Sequence, residues 1–417
     1  MKRVLLDILG RGGLWLARKV GLYRSWRIFH EMRRRDPAAA ARWLEYVIVG
    51  EWPDKLLSDD FIIHYLSSCK GKTGASWPLR VADAGKDSIL DVIPSETTPA
   101  ERRYLYHFFR SVWDGRGHVL EVGPFLGGTT RAIALGMMDN PKRQPECRLF
   151  TADRFSMYYP KEELIKFIEP LIAKGVLSSE DRDCINQQGS FAEIFRRIHE
   201  KHGYSALVHI MEGILPDLPE QLSHPLVWLN PRNKGDYGAF FIDGCKSWFG
   251  TKFFLQRAAE CAQPGAYFLF QDYGWVTCFW LPLCLGLLKE HFRLISYVDM
   301  TYTFQLVCPL DLAMIDRTIP DQPEAMDVAK MRAIFDALEA EARDRMDHYD
   351  MVILRLQQAA VLAYVGKLDE AREMIREAEN LPGASSYGWQ FGVSKRTPTY
   401  RPRMQDNGEV VSDLIKL

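Results

Sequence analysis

Between about residues 96 and 315, short apolar runs alternate with segments of helical length, and this alternation restricts the chain more than any other feature. "HVLEVG", "CRLFTADRF", "ALVHIMEG", "AFFIDG" and "AYFLFQDYG" have the length and content of strands, while "TTRAIALGMM", "KEELIKFIEPLIAK" and "TKFFLQRAAECA" between them read as helices. Strands that are apolar without a break are buried on both faces. The pattern therefore predicts an α/β fold with a doubly wound, Rossmann-like parallel sheet. In such sheets ligands bind at the carboxyl ends of the strands. "FRLISYVDM" and "YTFQLVCPL" are expected to close the sheet as an antiparallel pair.

The flanks have a different texture. Residues 1–95 read as a helical N-terminal region, residues 96–315 as the ligand-binding domain, residues 316–385 as a helical C-terminal region, and residues 386–417 as a polar, loosely ordered tail. "VILRLQQAAVLAYVGKLDEAREMIREAENLPG" places Ala359, Leu362, Gly366, Ala371, Ile375, Ala378 and Pro382 near the spacings of one tetratricopeptide-like hairpin. A single copy forms no solenoid, so it is expected to cap the domain, with a partner-binding repeat as the alternative. The first 45 residues are rich in arginine and lysine, interleaved with Leu5, Leu6, Leu9, Trp15, Leu16 and Trp26. An intersubunit or interdomain helix fits that composition, and a peripheral membrane-surface helix is the alternative, although Gly10, Gly12 and Gly13 interrupt it. Homo-oligomerisation through the helical additions is compatible with either.

The whole chain carries a formal net charge of −1, so nothing global points to nucleic acid. Eight scattered cysteines without a C-x-x-C fit a reducing, cytoplasmic setting rather than a disulfide framework or a zinc site. No uncharged run reaches the length of a membrane span.

The first strand ends in "EVGPFLGGTT", a glycine-rich turn before a helix. Glycine lets the backbone approach a ligand there. A dinucleotide fingerprint would need its second glycine at position 125, which is Phe125, and no G-x-x-x-x-G-K-[ST] is present. S-adenosylmethionine suits such a site better. Gly123, Gly127, Gly128 and Thr129 would form its loop, Glu121 would meet its ammonium, and Asp153, ending "LFTADRF", would take the ribose hydroxyls. Both acids could instead cap the turns that follow them.

"EVGPFLGGTT", "ADRF", "IDGCKSW" and "PGAYFLFQDYGW" together resemble successive motifs of class I S-adenosylmethionine-dependent methyltransferases. The branch they resemble is that of macrocin-type and catechol-type small-molecule O-methyltransferases. The resemblance spans roughly residues 96–310 and omits both helical additions. It implies methyl transfer to a hydroxyl of a small-molecule acceptor. It also implies that Asp243, Gln271 and Asp272 hold a magnesium ion while Lys246 is the base. Gly213 and Ile214, in "HIMEGILPDLP", would border the adenine.

Gln271 stands where the family commonly has a second carboxylate, which weakens a magnesium site. A metal-free arrangement with Lys246 and Asp272 acting directly, an N- or C-methyltransferase, and a catalytically inactive scaffold are the alternatives. His209 is expected in the core. Tyr273, Trp275, Phe279 and Trp280 are either an acceptor wall or core.

Overall fold

The computed structural model describes residues 89–155, 160–188, 191–223, 234–244, 246–344, 348–381, 384, 387–406 and 410–417. The expectations for the N-terminal region up to residue 88 lie outside the described residues.

Seven strands form one sheet: β1 (His118–Val122), β2 (Leu149–Asp153), β3 (Val208–Glu212), β4 (Tyr237–Ile242), β5 (Tyr267–Phe270), β6 (Phe292–Val298) and β7 (Thr301–Leu306). Their order is β3-β2-β1-β4-β5-β7-β6. The first five are parallel, and β7 runs antiparallel to both β5 and β6. This is the expected doubly wound α/β sheet with its antiparallel close. The strand order reverses between β1 and β4, so the ligand crevice is expected at the carboxyl ends of those two strands.

The unbroken apolar runs have a direct cause. Val119, Ala239, Phe241 and Leu269 pack in one cluster with helices α1 (Pro99–His107) and α2 (Gly128–Met138). Their neighbours Leu120, Phe240, Phe268 and Phe270 pack on the opposite face against α6 (Trp248–Cys261). Successive strand residues point to opposite faces, so covering both faces removes the polar half of the alternation. On the α6 side, Phe240 stacks on Phe268 at 4.7 Å and meets Phe254 edge-on at 5.7 Å. Helices α3 (Lys161–Ala173), α4 (Ser179–Gln188) and α5 (Ala192–Glu200) fill the connection from β2 to β3. β3 is an edge strand, and this corrects the expectation for His209. It is exposed, with its ring 5.4 Å from that of Phe150.

After α7 (Trp280–Leu287) and α8 (Leu312–Thr318) come α9 (Val328–Asp344), α10 (His348–Tyr364) and α11 (Leu368–Glu379). Gly366 turns α10 into α11 at φ +81. These helices do not stand apart from the sheet. Met331, Phe335, Leu354 and Val361 belong to the same apolar cluster as Phe240 and Phe270. Gln357 also donates from Nε2 to the carbonyls of Tyr273 (2.6 Å) and Trp275 (2.9 Å), fastening the loop after β5.

The segment expected to be a loose tail is ordered in its described residues. It holds α12 (Gly388–Arg396) and a hairpin of β8 (Thr399–Met404) and β9 (Val410–Ile415). Thr399 bonds the carbonyl of Thr277 at 3.2 Å, and the Tyr400 ring lies edge-on to Trp280 at 5.4 Å. The hairpin's polar composition reflects its outer face, where Arg403 pairs with Asp413 at 2.8 Å.

A buried carboxyl joins the start of α1 to the turn between β6 and β7. Glu101 closes a capping box with Thr98 and accepts from the Thr301 hydroxyl at 2.9 Å and the Met300 amide at 3.3 Å. Burial pushes its carboxyl up to about 7, with Asp299 adding to the push. A folded-state value above the unfolded one stabilises the protein at low pH. That contribution is complete below the unfolded value and is lost as pH rises towards 7. Wild type should therefore lose on the order of 3 kcal/mol between pH 4.5 and 8 from this group. In Glu101→Gln this part of the fall should be absent, so denaturant melts across that range should show a shallower loss than wild type, with the remainder left to other buried carboxyls such as Asp243.

Candidate functional site

A cavity of about 750 Å³ opens at the carboxyl ends of β1, β2, β4 and β5. One half is lined by the loop after β1, by the ends of β2 and β3, and by Phe191. The other half is lined by the ends of β4 and β5, with Glu96 near Lys246 and Asp272, and Ser95 and the C-terminal hairpin complete the lining.

In the first half, Gly123 sits at φ +81, a region that favours glycine. A Cβ there would lie 2.7 Å from the carbonyl oxygen of Asp243, so the turn and the end of β4 touch backbone to backbone. Phe125 also takes a positive φ of 52 and packs edge-on to Phe167 at 5.2 Å. Gly123, Thr129, Asp153, Gly213 and Ile214 all line the cavity. Asp153 accepts the Phe155 amide on Oδ1 at 2.9 Å, and its carbonyl takes the Gly213 amide at 2.9 Å. Burial pushes the Asp153 carboxyl above its ordinary range.

Three residues of the expected cofactor set stand behind the cavity wall. Glu121 lies on β1 itself and is fully buried, with its oxygens held by the hydroxyls of Thr129 (2.6 Å), Thr130 (2.6 Å) and Thr151 (2.8 Å). It does not line the cavity, which corrects its assignment to a ligand ammonium. Its side chain ties the start of α2 and strand β2 to β1. Gly127 caps α2 at φ +93, where a Cβ would fall 1.9 Å from His199 Nε2, and a Cβ on Gly128 would meet Ser95 at 2.5 Å. These two glycines allow the close approach of α5 and of the chain before α1, rather than lining the cavity.

In the second half, Asp243, Lys246, Gln271 and Asp272 converge from the ends of β4 and β5. The Lys246 ammonium donates to Asp243 Oδ1 at 2.9 Å, to Asp272 Oδ2, and at 3.4 Å to Gln271 Oε1. Asp272 reaches it from a positive φ of 65, a backbone state that aspartate tolerates better than most residues.

The lysine thus fills the point on which all three oxygens converge, and the expected metal arrangement does not fit this donor set. Among the described residues no group of three or more His, Cys, Asp or Glu is placed to hold a metal ion. This pairing bears on the expectation that Lys246 is the base. Asp243 and Asp272 hold its ammonium well above the ordinary lysine value, outweighing burial, so it stays charged. Asp243 behaves oppositely. Burial, with Asp272 beside it, pushes its carboxyl up to about 7, and the Lys246 ammonium only partly offsets that push.

Of the aromatic residues after β5, only Trp275 lines the cavity. Tyr273, Phe279 and Trp280 are core. Sequence reasoning missed Ser95, Glu96, Asp217, Met300, Tyr400, Pro402, Val410 and Ser412, which also line it. The hairpin residues had a legible signal in the alternation of "TYRPRM", where Tyr400, Pro402 and Met404 share one face and Arg401 and Arg403 the other.

No family model matches the chain, and no curated protein matches it. Among solved structures it is similar to the O-methyltransferase NovP, at 12% identity over 60% of this chain and 98% of that one, with a TM-score of 0.35. It is also similar to cofactor-bound Rv0187 from MTB, at 16% identity over 66% of this chain and 99% of that one, with a TM-score of 0.31. No helix among the described residues is long and apolar enough to cross a membrane.

Proposed function

We propose that this chain is an S-adenosylmethionine-dependent methyltransferase acting on a hydroxyl of a small molecule. The observation that carries the reading is the sharing of one cavity by the glycine turn and the Asp243–Lys246–Asp272 cluster, joined through the contact of Gly123 with the Asp243 carbonyl. When bound, S-adenosylmethionine supplies an electrophilic methyl group on a sulfonium.

Gly123, Thr129, Asp153, Gly213 and Ile214 would hold the cofactor, with Asp153 accepting from the ribose hydroxyls. Asp243 is the proton acceptor for the reacting hydroxyl. Its Oδ1 is engaged by Lys246, and its raised carboxyl titrates near neutrality, where a general base is most effective. The Lys246 ammonium orients Asp243 and Asp272 and offers fixed positive charge to an oxygen that is losing its proton. No step requires a divalent cation.

A test follows from Gly123. Alanine there must adopt a strained φ and collide with a backbone carbonyl, which separates the turn from the acidic edge. Wild type is expected to bind S-adenosylhomocysteine, and Gly123→Ala to bind it roughly tenfold or more weakly. Equal affinity by calorimetry would place the cofactor elsewhere.

A further inference from the structure

The C-terminal segment supplies the part of the cavity that the sheet does not. In the β8–β9 ribbon, residues directly opposite share a face, and Pro402 pairs with Ser412 as Met404 pairs with Val410. Tyr400, Pro402, Val410 and Ser412 all line the cavity, with Tyr400 beside Lys246. The ribbon is also fixed to the reacting edge, because the Tyr400 hydroxyl donates to the Lys246 carbonyl at 3.1 Å. Outside the ribbon, α12 presents Trp389, 60% exposed, with its ring 5.0 Å from that of the cavity-lining Trp275. A large indole left in solvent beside a second indole on a cavity wall is a platform for a flat ring.

We propose that α12 and the β8–β9 ribbon are the acceptor-recognition element of this protein, and that they take an acceptor whose body is a ring with an apolar face, seated between the Trp275–Trp389 pair and the Tyr400 side of the ribbon. The proposal rests on the methyltransferase reading above. It assigns acceptor choice to α12 and to the described residues of the ribbon, 399–404 and 410–415, rather than to the residues assigned to the cofactor. The acidic edge then meets only the reacting hydroxyl, and the ring chemistry is read by side chains carried on the C-terminal addition.

The test uses the full-length protein saturated with S-adenosylhomocysteine and phenyl β-D-glucopyranoside as the probe, followed by saturation-transfer NMR and calorimetry. Trp389→Ala removes an exposed side chain and is not expected to unfold the protein, and Val410→Trp adds bulk to the ribbon's part of the cavity lining. The wild type should bind the probe, and both variants should bind it about three- to tenfold more weakly. Their affinity for S-adenosylhomocysteine should stay within about twofold of wild type, because neither residue is among those assigned to the cofactor. Saturation of the aryl or of the pyranose protons identifies which ring occupies the platform. Equal probe affinity in all three proteins, or no probe binding by the loaded wild type, would overturn the proposal. Failure of the wild type to bind S-adenosylhomocysteine would instead remove the methyltransferase reading on which it depends.

Discussion

Asp243→Asn should lower methyl transfer by roughly 10²–10⁴-fold while leaving the affinity for S-adenosylhomocysteine nearly unchanged. Asparagine keeps an oxygen for the Lys246 ammonium, so the cluster stays assembled, and it keeps the backbone carbonyl that Gly123 approaches. What it removes is the ability to accept a proton. Asp272→Asn is the control. It breaks a comparable contact to the same ammonium but should cost only about tenfold, since Asp272 is assigned a holding role. Equal losses in the two variants would mean that the carboxylates act together, and a larger loss at Asp272 would transfer the base to it.

Lys246→Met is the second large effect, and its expected signature is a pH profile as well as a rate. With the ammonium gone, nothing offsets the burial and the Asp272 charge that push Asp243 upward. Asp243 must be ionised to accept a proton, so the acidic limb of the pH–rate profile should move to higher pH. Turnover at neutral pH should fall roughly hundredfold, part of it from lost orientation and part from protonated Asp243. Lys246→Arg should restore the position of the limb more than the rate, because a guanidinium brings the charge but not the same reach. If Lys246 were itself the base, both variants would lose the rate with no shift of the limb.

The parallel part of the sheet was legible because its inner strands β1, β4 and β5 are nearly unbroken apolar runs with helices between successive segments. That is a pattern that only burial on two faces produces. The closing pair β6–β7 was readable instead as two strand-like runs in direct succession with no helix between them. Among the site residues, Gly123, Asp153, Asp243 and Asp272 were found because each ends a strand or turn, and the doubly wound topology brings all strand ends to one edge.

Glu121 was misjudged, and Lys246 reads differently in the fold, because their surroundings depend on neighbours that sequence does not place. Glu121 looked like a loop acid, but three threonines from α2 and β2 claim its oxygens. Lys246 looked like a base beside a cation, but its own side chain reaches the point where the oxygens of Asp243, Gln271 and Asp272 meet. The hairpin was missed because its composition is averaged over two faces, one packed and one charged. It is also separated by more than a hundred residues from the strands it adjoins, and Tyr400 meets Lys246 only in the folded chain.

The central claim is that one cavity binds the cofactor and carries an ammonium, rather than a divalent cation, at its reacting edge. Calorimetry on the wild type tests it directly, with S-adenosylhomocysteine titrated first and magnesium then titrated into the loaded protein. The expected result is one-to-one binding of S-adenosylhomocysteine at about micromolar affinity, unchanged by a chelator, and no magnesium heat above dilution. Absence of S-adenosylhomocysteine binding would contradict the cofactor assignment. A stoichiometric magnesium isotherm that disappears in Asp243→Asn would contradict the ammonium.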